Sequence, residues 1–219
     1  MQMVPALRPL SPPAPRPAKD TPKSRRTRAR ILDHAARLIR EIGYGAANNA
    51  VIAEAAGLTR GAMLYHFPTR ESLVAGLVEH LSAQSDALFA EAARARAPGA
   101  DVAEHAIDSY WRLLHAPPVL ALRELGAAAR TDPLVRESMA SVTAAFDRAE
   151  PESVMALFQP GSTPRSQAAR DMARFLLEGL ASADLTYNGE VRAKRLIEML
   201  KRVVHVLNRK GDVADIWPE

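Results

Sequence analysis

From residue 24 onward the apolar residues recur at the spacing of a helix, and no stretch alternates with the two-residue period of a strand. The clearest case covers 24–42. There Ile31, Leu32, Ala35, Leu38, Ile39 and Ile42 form one stripe, every member three or four residues from another. A chain patterned this way throughout is confined to an all-α fold. Its punctuation divides it into nine predicted helices. Gly43 closes the first, and Asn48 caps a second over about 48–56. Gly57 turns the chain into a third helix, capped by Thr59 and stopped by Pro68. Thr69 caps a long fourth helix over about 70–96. Pro98 and Gly99 break the pattern, and Asp101 with Glu104 opens a fifth helix that ends before Pro117. A sixth covers about 118–130. Asp132 and Pro133 are an N-cap and first-turn pair for a seventh that ends near Phe158. A Pro/Gly/Ser loop at 159–164, then a turn at Asn188-Gly189, delimit an eighth helix over about 165–186 and a ninth over about 190–209. No internal repeat is present.

Charge is distributed unevenly. Residues 1–70 hold twelve Lys and Arg against four Asp and Glu, whereas the rest of the chain holds 17 bases and 21 acids. A basic front on an acidic body suits a polyanionic partner. Seven prolines within 1–22 point to a disordered, partly polyproline arm. The absence of cysteine excludes disulfides, thiolate metal sites and a cysteine nucleophile. No apolar run approaches membrane-spanning length, and the proline-rich start is unlike a signal peptide. The expected location is the cytoplasm.

The second and third helices, with the turn Ala56-Gly57-Leu58 between them, fit a helix-turn-helix. Ile52 and Ala53 turn the second helix onto the first. Ala56 is small where the helices cross, and Gly57 supplies the positive φ of the tight turn. The third helix then enters the major groove by its N-terminal end, presenting Thr59, Arg60, Tyr65 and His66.

Four segments resemble the N-terminal domain of the TetR family of transcriptional repressors. They are Thr27-Arg28-Ala29-Arg30-Ile31-Leu32-Asp33, Gly43-Tyr44, Ile52-Ala53-Glu54-Ala55-Ala56-Gly57-Leu58-Thr59-Arg60-Gly61, and Leu64-Tyr65-His66-Phe67-Pro68-Thr69-Arg70-Glu71-Ser72-Leu73. Order and spacing are unbroken over about 24–75. Glu124-Leu125 and Ala128-Ala129-Arg130-Thr131-Asp132-Pro133-Leu134 resemble, more weakly, the ligand-binding half of many members. The resemblance implies a homodimer with two DNA-binding heads, no catalysis and no cofactor, and a helical body with a small-molecule pocket. The implied organisation is an arm at 1–22, a head at 23–70, a ligand-binding and dimerisation body at 71–210 and a tail at 211–219. Contacts to double-stranded DNA fall on Thr59, Arg60, Ala62, Tyr65 and His66, with Asn48 and Arg70 on phosphates. Arg26 and Arg28 in the basic run reach phosphate or the minor groove. Asn49 and Ala50 depart from the family pattern, which more often places an apolar anchor and a phosphate partner there.

In the body, Tyr110, Trp111, Met139 and Phe146 are the candidates for an apolar or aromatic effector, on the expectation that the fifth and seventh helices face each other. The eighth and ninth helices carry a dimer stripe: Met172, Leu176, Gly179, Leu180, Ala183, Leu196, Leu200, Val203 and Leu207. Phe175 is counted with the interior aromatics. Asp101, His105 and Asp108 share a helix face, which reads as a solvated helix start and not as a metal site. No nucleophile elbow, phosphate loop or dinucleotide fingerprint is present. The contrasting function is a helical interaction scaffold that has lost DNA binding, which the departures at Asn49 and Ala50 would suit and the basic front would not.

Overall fold

The computed structural model describes residues 21–147, 164–183 and 186–208. Among the described residues there are nine helices and no strand. They are α1 (Pro22–Ile42), α2 (Asn49–Ala55), α3 (Arg60–His66), α4 (Arg70–Arg94), α5 (Val102–Leu113), α6 (Pro117–Ala128), α7 (Pro133–Asp147), α8 (Pro164–Ser182) and α9 (Gly189–Leu207). The predicted arm up to residue 20, the extension of α7 to Phe158 and the tail lie outside the described residues. Among the described residues no helix is long and apolar enough to cross a membrane.

The helices begin where short polar side chains can accept from the first free N–H groups. Asn48 Oδ1 accepts from Ala50 and Val51, and Asp101 Oδ1 from Ala103 and Glu104. Asp132 Oδ1 accepts from Leu134 and Val135. Thr69 and Ser72 cap each other reciprocally at the head of α4. Some boundaries differ from expectation: α5 ends at Leu113 and α8 at Ser182, each a few residues early. α1 starts at Pro22, because that proline occupies its first turn and Thr21 caps it by accepting from Ser24 N–H at 3.1 Å. Pro22 thus opens the helix instead of closing the arm.

Among the described residues two apolar cores result. The first gathers Ile31, Ala35 and Ile39 of α1, Ile52 and Ala53 of α2, Met63 of α3, and Leu73, Leu77 and Leu81 of α4. It continues without a break into Ala121 and Leu125 of α6 and Val135 and Met139 of α7. The second holds Phe89, from the far end of α4, with Ile107 and Tyr110 of α5, Val119 of α6, Ala173 and Leu177 of α8, and Ile197, Leu200 and Val204 of α9. Burial of each large side chain contributes about 1.5–3 kcal/mol. α4 and α6 belong to both cores and join them.

The body is arranged differently from expectation. α5 packs on α4, α8 and α9, and α7 packs on α4 and α6. Tyr110 and Trp111 therefore sit at the second core and Met139 in the first. The periodicity of α5 and α7 gave each an inward face but could not say which helices those faces meet. The Phe146 side chain lies outside the described residues.

Candidate nucleic-acid interface

The turn between α2 and α3 is closed by backbone geometry. Gly57 has φ +64°. Its N–H donates to the Glu54 carbonyl at 2.9 Å, and Leu58 N–H donates to the Ala53 carbonyl at 2.9 Å. This pair of bonds satisfies the last carbonyls of α2 and requires the left-handed residue that glycine supplies. Thr59 follows in extended conformation and accepts from Ala62 N–H at 3.2 Å. α3 then turns Met63 fully inward, with Phe67 buried just past its end, while Thr59, Arg60 and Gly61 are exposed and Tyr65 is 46% exposed. The seven-residue helix is thus held by one apolar side and presents the other to solvent.

Of the predicted contact residues, Thr59, Arg60 and Tyr65 lie together on that outer side. Arg26 is exposed on the first turns of α1, and Asn48 is exposed at the start of α2. Ala62 and His66 are half-buried. His66 Nδ1 is buried with no hydrogen-bond partner among the described residues. Burial, and secondarily the Arg28 charge, lower its pKa below 6.5.

Two arginines assigned to DNA by sequence are engaged inside the head. Arg28 Nη1 donates to the His66 carbonyl at 2.6 Å, and its guanidinium lies 4.2 Å from the Phe67 ring centroid. Arg70 donates to the carbonyls of Ala47 at 2.9 Å and Tyr44 at 3.3 Å, and lies 4.6 Å from the Tyr44 ring centroid. An arginine's five donors and flat face satisfy several acceptors at once, and the sequence pattern does not say which acceptors those are.

An open groove of about 610 Å³ runs between these elements, lined among others by Tyr44, Asn48, Asn49, Arg60, Leu64 and Asp132. Tyr44 has its pKa raised, by burial first and, further down, by the facing Asp132 carboxylate. Asn49 is half-buried with Oδ1 unpaired among the described residues, so its departure from an apolar anchor leaves a polar atom unsatisfied. Sequence reasoning overlooked Tyr44 and Asp132 as groove residues, although each lies in a segment that resembles the family.

In the body, Tyr110 is 2% exposed and donates to Glu178 Oε1 at 2.7 Å, which also accepts from Arg174 Nε at 3.0 Å. Burial raises the Tyr110 pKa strongly, and Glu178 adds to the shift. Trp111 is half-buried, edge-on to His115 at 4.7 Å between centroids. Asp101 caps α5, His105 Nε2 meets the Ala92 carbonyl at 2.8 Å, and Asp108 pairs with Lys201 at 2.8 Å. The three residues on that helix face thus have separate structural partners.

Of the predicted dimer stripe, Gly179 and Ala183 are exposed, and Met172, Leu176, Leu180, Leu196, Val203 and Leu207 are half-buried. Leu200 is only 2% exposed and belongs to the second core. It packs within its own protomer because it shares the α9 face of Ala193, Ile197 and Val204. Phe175, expected inside, is 62% exposed on α8, and Val191 of α9 is 59% exposed.

Residues 31–77 match the family model described as bacterial regulatory proteins, tetR family. No curated protein matches the chain in sequence. Solved structures share its fold. A transcriptional regulator from Rhodococcus sp. Rha1 is 18% identical, with a TM-score of 0.59 over 85% of this chain and 98% of that one. Salmonella enterica GusR is 18% identical, with a TM-score of 0.56 over 84% and 96%. The multidrug binding protein EbrR, complexed with imidazole, is 22% identical, with a TM-score of 0.54 over 79% and 93%. The helix-turn-helix segment thus matches the tetR family of bacterial regulatory proteins over residues 31–77, and the chain as a whole shares the fold of these structures.

Proposed function

We propose that the protein is a cytoplasmic, homodimeric transcriptional repressor that binds a palindromic operator and is released from it by a small apolar or aromatic ligand. The observation that carries the DNA part is the outer side of α3, where Thr59, Arg60 and Tyr65 stand exposed beside the Thr59 cap while Met63 anchors the helix. Two such helices on a two-fold axis would sit about 34–36 Å apart, one turn of DNA. Arg60 is the residue best placed to read a base. Tyr65 and His66 follow on the same helix, with Arg26 and Asn48 on the flanking backbone. The head is residues 23–70 and the body 71–210.

For the dimer, the supporting feature is the partly uncovered apolar face of α8 and α9, with Phe175 and Val191 open and Gly179 exposed. For the ligand, support comes from a neighbour in fold, the multidrug binding protein EbrR, which was solved complexed with imidazole. α4 and α6 run through both cores, so a ligand favouring one arrangement of the second core would bias the spacing of the heads by its differential affinity.

The test is selection of bound sequences from random DNA, followed by titration of the recovered site over a range of salt. A palindrome bound with steep salt dependence is expected. Arg60→Ala should weaken that site by about 1–3 kcal/mol. Recovery of no preferred sequence, or binding indifferent to salt, would overturn the repressor.

A further inference from the structure

We infer that Arg28 is a positioning residue for the recognition helix, fixing its C-terminal end and so setting which bases it can read, and that it does not hold a DNA phosphate. The inference rests on the proposal that α3 enters the major groove.

α3 is seven residues long, and a helix that short has little stability of its own. Its last carbonyls have no partners within the helix. Arg28, 38 residues upstream on α1, donates to the His66 carbonyl at 2.6 Å. It thereby satisfies one of these carbonyls and places a positive charge at the negative end of the helix. The same guanidinium covers the face of Phe67, the residue that ends α3.

The ring is confined from a third direction. A Cβ added at Gly76 on α4 would lie 3.0 Å from Phe67 Cε1 and 3.8 Å from Arg28 Nη2. Arg28, Phe67 and the α4 backbone therefore form a close-packed stack that joins α1, α3 and α4 at one point, and Gly76 is the residue that leaves room for it. Phe67 itself is 0% exposed. Base-edge hydrogen bonds depend on donor placement to within a few tenths of an ångström. A recognition helix released at its C-terminal end would lose discrimination before it lost its attraction to phosphates.

Arg28→Met and Gly76→Ala test this together, because the second disturbs the stack without changing any charge. Both are expected to bind the selected site roughly ten- to hundredfold more weakly. Non-specific affinity and the slope of log affinity against log salt should remain as in the wild type. Arg28→Lys should not restore binding, since an ammonium cannot cover the ring and donate to the carbonyl with one planar group. A slope reduced by about 0.9 per head, with specific and non-specific DNA weakened alike, would make Arg28 a phosphate ligand and overturn the inference. So would specific binding left unchanged in both variants.

Hydrogen exchange of the free protein gives a readout that needs no DNA. Amides of residues 63–67 should exchange faster in Arg28→Met than in the wild type, while those of α2 hold. Unchanged protection there would also overturn the inference. A wild-type protein that bound no DNA would defeat the proposed function instead, and exchange would still decide whether Arg28 holds the helix. Should one variant fail to fold, the other carries the test.

Discussion

Truncating Phe175 to alanine is expected to part the two protomers and leave each one folded. Phe175 leaves 62% of itself in solvent. A phenylalanine can bury about 150–250 Å², so on the order of 125 Å² of it awaits cover in each protomer. At about 25 cal/mol per Å² that is roughly 3 kcal/mol per copy, and about 6 kcal/mol for a two-fold dimer. Alanine retains a little of this area and an interface rarely realises all of it, so the dimer Kd should rise by roughly two to four powers of ten. The protomer loses little, because its own core is made by Ala169, Ala173 and Leu177 on the opposite side of α8. Sedimentation equilibrium reads the Kd, and circular dichroism reads helix content. A folded Phe175→Ala protein whose Kd stays within about threefold of the wild type would refute α8 as the interface, since 6 kcal/mol corresponds to far more than threefold. A wild type already monomeric at micromolar concentration would do the same.

Other substitutions test the interior. Gly57→Ala meets no atom within 4 Å but must keep φ +64°, so urea unfolding should show a loss of about 1–2 kcal/mol with an unchanged m-value; a much larger loss would mean that the turn is held by something besides backbone conformation. Tyr110→Phe removes a hydrogen bond to the Glu178 carboxylate and should cost about 1.5–3 kcal/mol in the same assay, with no change at all arguing against the bond. The lowered pKa of His66 means that the unfolded chain binds the proton more readily in the window just below 6.5. His66 therefore contributes stability in full above that window, and the contribution falls as pH drops through it. The difference in stability between wild type and His66→Gln, followed from pH 8 to pH 5, should show that slope, and a pH-independent difference would contradict it.

Local signals in the sequence were reliable because each depends on a few neighbouring atoms. Asn48, Thr59, Asp101 and Asp132 cap the helices they precede, and Gly57 adopts the positive φ that its turn requires. What the sequence concealed were partners far along the chain. Arg28 and Arg70 look alike as basic residues beside a DNA-binding motif, yet the fold brings carbonyls and aromatic rings to both. On α8 and α9 the apolar residues cover more than one face. A stripe wide enough to serve both a protomer's own core and a mate does not reveal which members do which. For that reason Leu200, expected to face a mate, is buried in the second core, and Phe175, expected inside, is exposed. The span from Arg60 to His66, by contrast, was legible to within a residue or so, because a capped start and a proline stop leave it little freedom of length.

The first core does not end where the helix-turn-helix ends. Ala121, Leu125, Val135 and Met139 complete the hydrophobic interior that Ile31, Leu77 and Leu81 begin. A head cut out at residue 70 or 75 would therefore be left with an uncovered apolar wall and an unfinished fold. The same contact limits how such heads can be exchanged between regulators. A graft that gives this body a new operator preference would have to preserve the surface that α1 and α4 present to α6 and α7, and should confine its changes to the outer side of α3. On this reasoning DNA specificity can diverge quickly at Arg60 or Tyr65, while the joint beneath can change only when residues of both halves change together.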